Sequence, residues 1–290
     1  MKTKQKENNK KAYNHEEIKV RRVNFKFDKG TPRFYYDDNP FSTHFINVLH
    51  IVFPTGERFF VNSVLNHMND IEDEKLKKQM KNFCGQEGIH STMHERFWQI
   101  LKDNNYEIKG FENHIDNLLH KVMAKIKLPF LKEDNLNLAV TACLEHFTAL
   151  FGHAIFESVD TSADTVPEDI SELFRWHAAE EIEHKSVAFD VMQQVDDQEY
   201  GKRVALMPIA TALLYAELTA GTLMLLYQDR KYLEAKKLPK QLYEFGTGLF
   251  MDLHKTVFKD YLKFFKRDFH PSDLNDYHYA EDFFKDKAYA

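Results

Sequence analysis

From Pro40 onward apolar side chains recur at steps of three and four residues over six stretches, roughly 42–68, 72–104, 134–159, 167–195, 203–228 and 239–265, separated by short polar breaks. That spacing lines one side of a 3.6-residue helix and predicts six helices. Pro54 lacks the donor that a helix interior needs, which predicts a kink or a restart one turn before Glu57. Pro167, Glu168 and Asp169 read as a helix start, with proline near the first position and acids in the first turn. Residues 23–39 break the pattern. There Phe25, Phe27, Phe34, Tyr35 and Tyr36 alternate with charges around Gly30 and Pro32, which predicts an extended strap. The first 22 residues hold eight Lys or Arg and almost nothing apolar, so a flexible basic arm is expected there.

Composition narrows the class. The chain has 290 residues, 43% apolar and 29% charged, and few of them are Gly or Pro, the residues that all-β folds need in their turns. Neither GxGxxG nor GxxxxGK[ST] occurs. The expected fold is all-α: a ferritin-like four-helix bundle over 23–200, apolar C-terminal helices over 201–265 packed on the bundle or at a membrane, and a C-terminal tail over 266–290. A net charge of -6 argues against general nucleic-acid affinity. Two cysteines, Cys84 and Cys143, make no disulfide framework and lack zinc-site spacing, so they read as small core residues. No secretory-type apolar run stands at the N-terminus, and the cytoplasm is the expected compartment.

Residues 204–227 hold one acid, Glu217, and no base over 24 positions, interrupted by Pro208 and Gly221. This length suits a helix buried against the bundle or against a partner subunit in a homodimer. It also suits a helix lying on a membrane, which the basic arm would support at the inner face, or a true span.

The chemistry concentrates on four of the expected helices. The first carries Glu57 among aromatics, and the third carries Glu145 in an almost uncharged stretch. A lone buried carboxylate is costly unless it is paired, protonated or bound to metal. The second reads Glu87-x-x-His90 with His94 one turn on, and the fourth reads Glu181-x-x-His184 with His177 one turn before. At about 100° per residue each trio faces one line. Two Glu-x-x-His pairs carry little weight alone. The order Glu, Glu-x-x-His, Glu, Glu-x-x-His is the ligand set of a di-metal carboxylate bundle. Glu57, Glu87, His90, Glu145, Glu181 and His184 are therefore the candidate ligands. His94 and His177 are candidate extra ligands or outer-shell donors, and Glu180 and Glu183 belong to a solvated or outer face. Four carboxylates balance two divalent ions, iron first, with manganese or zinc also suited.

The segments FPTGERFF at 53–60, GQEGIHSTMH at 85–94, ACLEHFTA at 142–149 and WHAAEEIEHKSVAFDV at 176–191 resemble a bacterial family labelled predicted metal-dependent hydrolases, grouped with ferritin-like proteins. The similarity runs over roughly residues 15–265 and implies a helical metal-binding enzyme.

Three functions fit these residues. The first is an oxygen-dependent di-iron enzyme that oxidises, hydroxylates or desaturates a small apolar substrate, such as a lipid or acyl chain, with electrons from a separate donor. Six protein ligands for two metals leave positions open for oxygen, and Ala149 and Gly152 leave room beside Glu145. The second is hydrolysis, as the label says; four carboxylates weaken the Lewis acidity of the pair, and no oxyanion-hole loop is evident. The third is a bundle whose metals are stored or only stabilise the fold.

Overall fold

Asn39 starts the first helix. Its side chain accepts the N–H groups of Phe41 and Ser42, and Pro40 fills the first helical position, giving α1 (Pro40–Leu65). Asp73 caps α2 (Glu74–Asp103) in the same way through Lys75 and Leu76. The computed structural model describes residues 18–27, 30–122, 133–285, 287 and 289. Among them the fold is all-α, without a strand. It continues with α3 (Lys109–Asp116), α4 (Glu133–Glu157), α5 (Glu168–His184), α6 (Val187–Val195), α7 (Glu199–Gln228), α8 (Leu238–Phe245), α9 (Met251–Lys255), α10 (Phe258–Lys263) and α11 (Tyr277–Phe284).

Cross-contacts fix the topology of the bundle. His50 meets Trp98 and Glu57 meets Ser91, so α1 and α2 run antiparallel. Thr148 meets Glu181 while Gly152 meets Ala178, so α4 and α5 do too. Ser63 reaches Thr141, and His94 and Gln86 reach His177 and His184. The four helices thus form an up, down, down, up ring whose crossover from α2 to α4 includes α3. At Gly152 a Cβ would lie 2.7 Å from the Ala178 carbonyl oxygen, so only glycine lets α4 and α5 approach this closely.

Pro54 lies inside an uninterrupted α1, so the helix does not restart there. The carbonyl it cannot serve, that of His50, accepts the Trp98 indole N–H instead at 2.8 Å. The 167–195 stretch is two helices, α5 and α6, parted at Lys185 and Ser186. There the buried Lys185 ammonium turns to Asp276, over the Tyr277 ring. That ion pair holds α11 against α5. Helices α3 and α11 lie outside the six expected stretches, and 239–265 is three short helices with a π turn over Gly246–Phe250 between the first two.

Of the expected basic arm, residues 1–17 lie outside the described residues. Residues 18–22 are held by the bundle: Ile18 is buried and its carbonyl accepts from Asn82. The strap follows without helix to residue 27, with Phe25 on Trp176 and Phe27 on Phe97. Among the described residues two helical stretches are long and apolar enough to cross a membrane, 134–157 and α7; the most apolar part of the first is 72% buried within the fold and that of α7 33%. The cysteines are unpaired, Cys143 buried and Cys84 half-buried, and burial pushes both thiols up to about 12.

Candidate metal centre

Each of the four bundle helices sends its carboxylate inward, and the structure brings Glu57, Glu87, Glu145 and Glu181 together with His90, His177 and His184 in two adjoining groups. Glu57, His90 and His177 form one, and Glu87, Glu145, Glu181 and His184 the other. Within each, one ligand atom per residue lies within 4.8 Å of every other. The helical periods explain this: Glu-x-x-His puts both side chains of a pair on one face, and antiparallel packing brings the faces level.

Glu87 and Glu181, members of the second group, also reach towards the histidines of the first. Glu87 Oε1 lies 3.0 Å from His184 Nε2, whereas its Oε2 lies 3.7 Å from His90 Nδ1. Glu181 Oε1 lies 2.8 Å from His177 Nε2 and 3.5 Å from His90 Nδ1, and its Oε2 lies 3.5 Å from His184 Nε2. Glu145 Oε2 closes the second group 3.3 Å from His184 Nε2. Glu57 closes the first, its Oε2 accepting from Ser91 and its Oε1 3.8 Å from His177 Nε2. His94 stands beside the first group, with Nε2 3.3 Å from Glu57 Oε1 and 3.1 Å from His177 Nδ1.

The residues fit a pair of cations. Glu57 Oε1, both oxygens of Glu87 and of Glu145, His90 Nδ1 and His184 Nε2 are buried without a hydrogen-bond partner among the described residues. Buried polar atoms are seldom left so, and a converging set of carboxylate oxygens and imidazole nitrogens is the donor chemistry of iron, manganese or zinc.

Electrostatics point the same way. Burial lifts the Glu145 carboxyl to about 8 against the pull of His184, and lifts Glu57 well above the carboxylate range, with the Glu87 charge adding to it. Burial also opposes ionisation of Glu87 and Glu181 but is outweighed. The nearby imidazoles of His184 and His90 hold Glu87 below its usual value, and the His184 charge with the His177 bond holds Glu181 well below. For His90 and His184 burial favours the neutral ring, yet the surrounding carboxylates raise both well above the usual value. Without metal, protons therefore stand where cations would neutralise the four carboxylates.

An outer ring of contacts fixes the imidazoles. His90 Nε2 lies 2.9 Å from Glu180, which is fully buried rather than solvated, and Arg21 from the end of the basic arm binds both Glu180 and Glu183. His184 Nδ1 lies 2.9 Å from Gln86 Oε1, and Gln86 in turn donates to Glu183. Each ring thus turns one nitrogen inward and uses the other on a polar partner, the arrangement that orients metal-ligating histidines. Arg58, beside Glu57 in the sequence, pairs with Glu95. His146, next to Glu145, turns away and stacks on Phe264.

Sequence reasoning passed over His50. It lies seven residues before Glu57, two turns back on the same face, and that spacing was the available signal. Its Nδ1 lies 2.7 Å from His94 Nδ1, so His50, His94 and His177 form a chain of imidazoles that ends on Glu181. Beside this chain a cleft opens to solvent. Ile46, Leu49, Phe53, Phe151, Ile155, Val159, Phe174, Leu249 and Leu253 make its walls, and His177 and Glu181 stand at the metal centre. Gly152 and Thr148 line it, whereas Ala149, expected to leave room, is fully buried outside the lining.

A family model described as predicted metal-dependent hydrolase matches residues 19–275. The chain belongs to that family. No curated protein and no solved structure matches it.

Proposed function

We propose that this member of the predicted metal-dependent hydrolases is a ferritin-like di-iron enzyme that uses oxygen to oxidise, hydroxylate or desaturate an apolar substrate. The two groups, with Glu87 and Glu181 reaching both, support a dinuclear centre: Glu57, His90 and His177 would hold one ion, Glu145 and His184 the other, and those two carboxylates would bridge them. The up, down, down, up ring with a long crossover supports the ferritin-like assignment. Iron supplies the electrons for oxygen reduction, replenished by an external donor.

One observation carries the choice of reaction. The cleft that ends on Glu181 and His177 is walled mainly by aliphatic and aromatic side chains, and among the described residues no Lys, Arg, Asn or Gln lines it. An unactivated hydrocarbon fits such a wall. A hydrolytic transition state develops oxyanion charge, and the described walls offer it no Lys or Arg and no side-chain amide. In the proposed reaction the walls hold the substrate, Glu181 and His177 mark the reacting end, and the His94 and His50 rings hold His177 in place.

Hydrolysis is the second reading, favoured by the family description. One experiment separates the two. Protein loaded anaerobically with two Fe(II) per chain should take up oxygen and develop near-ultraviolet charge-transfer absorption. Iron-filled protein that takes up no oxygen overturns the oxidative reading. Zinc- or manganese-dependent cleavage of a generic ester or phosphodiester, abolished in Glu145→Ala, would establish the hydrolytic one.

A further inference from the structure

Between Lys202 and Arg230 every exposed residue of α7 is uncharged. Ile209, Leu213, Leu223 and Tyr227 stand out of it, from 47% to 68% exposed, with alanines and a threonine filling the positions between. From Ile209 to Tyr227 this stripe runs about 27 Å at 1.5 Å per residue. The other side of α7 packs on α1 and α4, so the helix offers its flank along its length. Beside it, joined through Thr211 to Tyr261 at 3.2 Å, the α8–α10 layer exposes Met251, Phe258 and Leu262. Contiguous apolar surface of this extent marks a docking face.

Charge selects the occupant. Residues 229–267 contain ten Lys or Arg against five Asp or Glu, in a chain whose net charge is -6. A twofold dimer lays a patch against itself, so a second copy would bring two such basic segments together. An anionic bilayer answers both features at once: the apolar flank enters the headgroup boundary and the lysines meet lipid phosphates.

The same layer reaches the metal centre. Leu249 and Leu253, from the π turn and α9, form part of the wall of the cleft that ends on Glu181 and His177. We infer that the α7–α10 face docks on an anionic membrane surface and that the cleft takes its substrate, the acyl chain of a lipid, from that surface. The substrate half of this inference rests on the oxidative reading above; the docking half stands without it.

The test is co-flotation of the metal-loaded full chain with vesicles of phosphatidylcholine alone or with about a third phosphatidylglycerol. Wild type should float with the anionic vesicles at least tenfold more than with the neutral ones, and high salt should weaken it. Leu213→Glu/Leu223→Glu should remove most of the binding. Lys259→Glu/Lys266→Glu should remove the preference for anionic lipid. These positions are surface-exposed or flank the face, and an unchanged melting temperature and metal content would show that each variant folds. Absence of flotation with either vesicle overturns docking, as does a native mass of two chains that Leu213→Glu/Leu223→Glu reduces to one. Oxygen uptake measured on the same samples separates the two ideas, since uptake without flotation sinks docking alone and flotation without uptake sinks the oxidative reading alone.

Discussion

The Trp98 indole donates to the carbonyl of His50, 2.8 Å away, the one acceptor in α1 that Pro54 strips of its helical partner. Pro54 stands one turn before Glu57, so this bond keeps the backbone helical where the candidate ligand must be aimed. Trp98→Phe retains an aromatic ring and removes only the N–H. A buried carbonyl left without a donor costs about 1–3 kcal/mol. The expected outcome is a melting temperature lowered by several degrees; an unchanged one would show that water replaces the indole.

The shared carboxylates make the metal count a diagnostic. Glu145 touches only the second group and Glu57 only the first, whereas Glu87 and Glu181 reach both. By elemental analysis wild type should hold about two ions per chain. Glu145→Ala and Glu57→Ala should each retain about one, and Glu181→Ala close to none. Loading should also raise the melting temperature, because cations replace protons held against strong carboxylate repulsion. Equal losses in all three variants would contradict the assignment of the bridges.

Much of this centre was legible in the chain because helical geometry converts spacing directly into direction. Glu87 with His90 and Glu181 with His184 face inward by their three-residue spacing alone, and the order of the four segments suffices to pair the helices. What was not legible depends on distant contacts. Arg21 and Glu180 are 159 residues apart, and nothing local in either marks the other. Lys185 lies inside an unbroken periodic stretch, so the end of α5 there becomes visible only with Asp276, 91 residues later, in place. The restart expected at Pro54 failed for the same reason, since its compensating donor comes from α2. The exposed flank of α7 shows why apolar content alone left the role of 204–227 open: the sequence reads similarly whether the outer face meets protein or lipid.

The pair His153 and Asp276 gives stability a pH dependence remote from the metal centre. Burial favours the neutral His153 ring but is outweighed by the Asp276 carboxylate, 3.6 Å from its Nδ1, and by the bond with Glu157, so its value is raised above 6.5. A group that binds its proton more tightly when folded stabilises fully below its unfolded value and loses that contribution as pH rises through the folded one. Wild type should therefore melt higher than His153→Gln at about pH 6, with the gap narrowing toward about pH 9. A gap independent of pH would assign the effect to packing.

His50 touches no candidate ligand except through His94, yet it anchors the imidazole chain. Its ring lies between Phe97 and Phe174, stacked at centroid distances of 3.8 and 5.3 Å, so it has little freedom to turn. If His177 binds metal through Nε2, its Nδ1–H must donate to His94 Nε2, and His94 Nδ1–H in turn to His50 Nδ1. His50→Leu leaves the last acceptor missing and frees His94 to rotate. Loss of such an outer partner weakens metal affinity or activity by about 10–100-fold. The loss should fall on the ion held by Glu57, His90 and His177 and spare the one held by Glu145 and His184. Competition with a chelator, counting ions retained per chain, distinguishes the two: one ion lost early and one retained is expected. His50→Gln, which keeps an acceptor, should recover part of the affinity, and equal weakening of both ions would remove His50 from any positioning role.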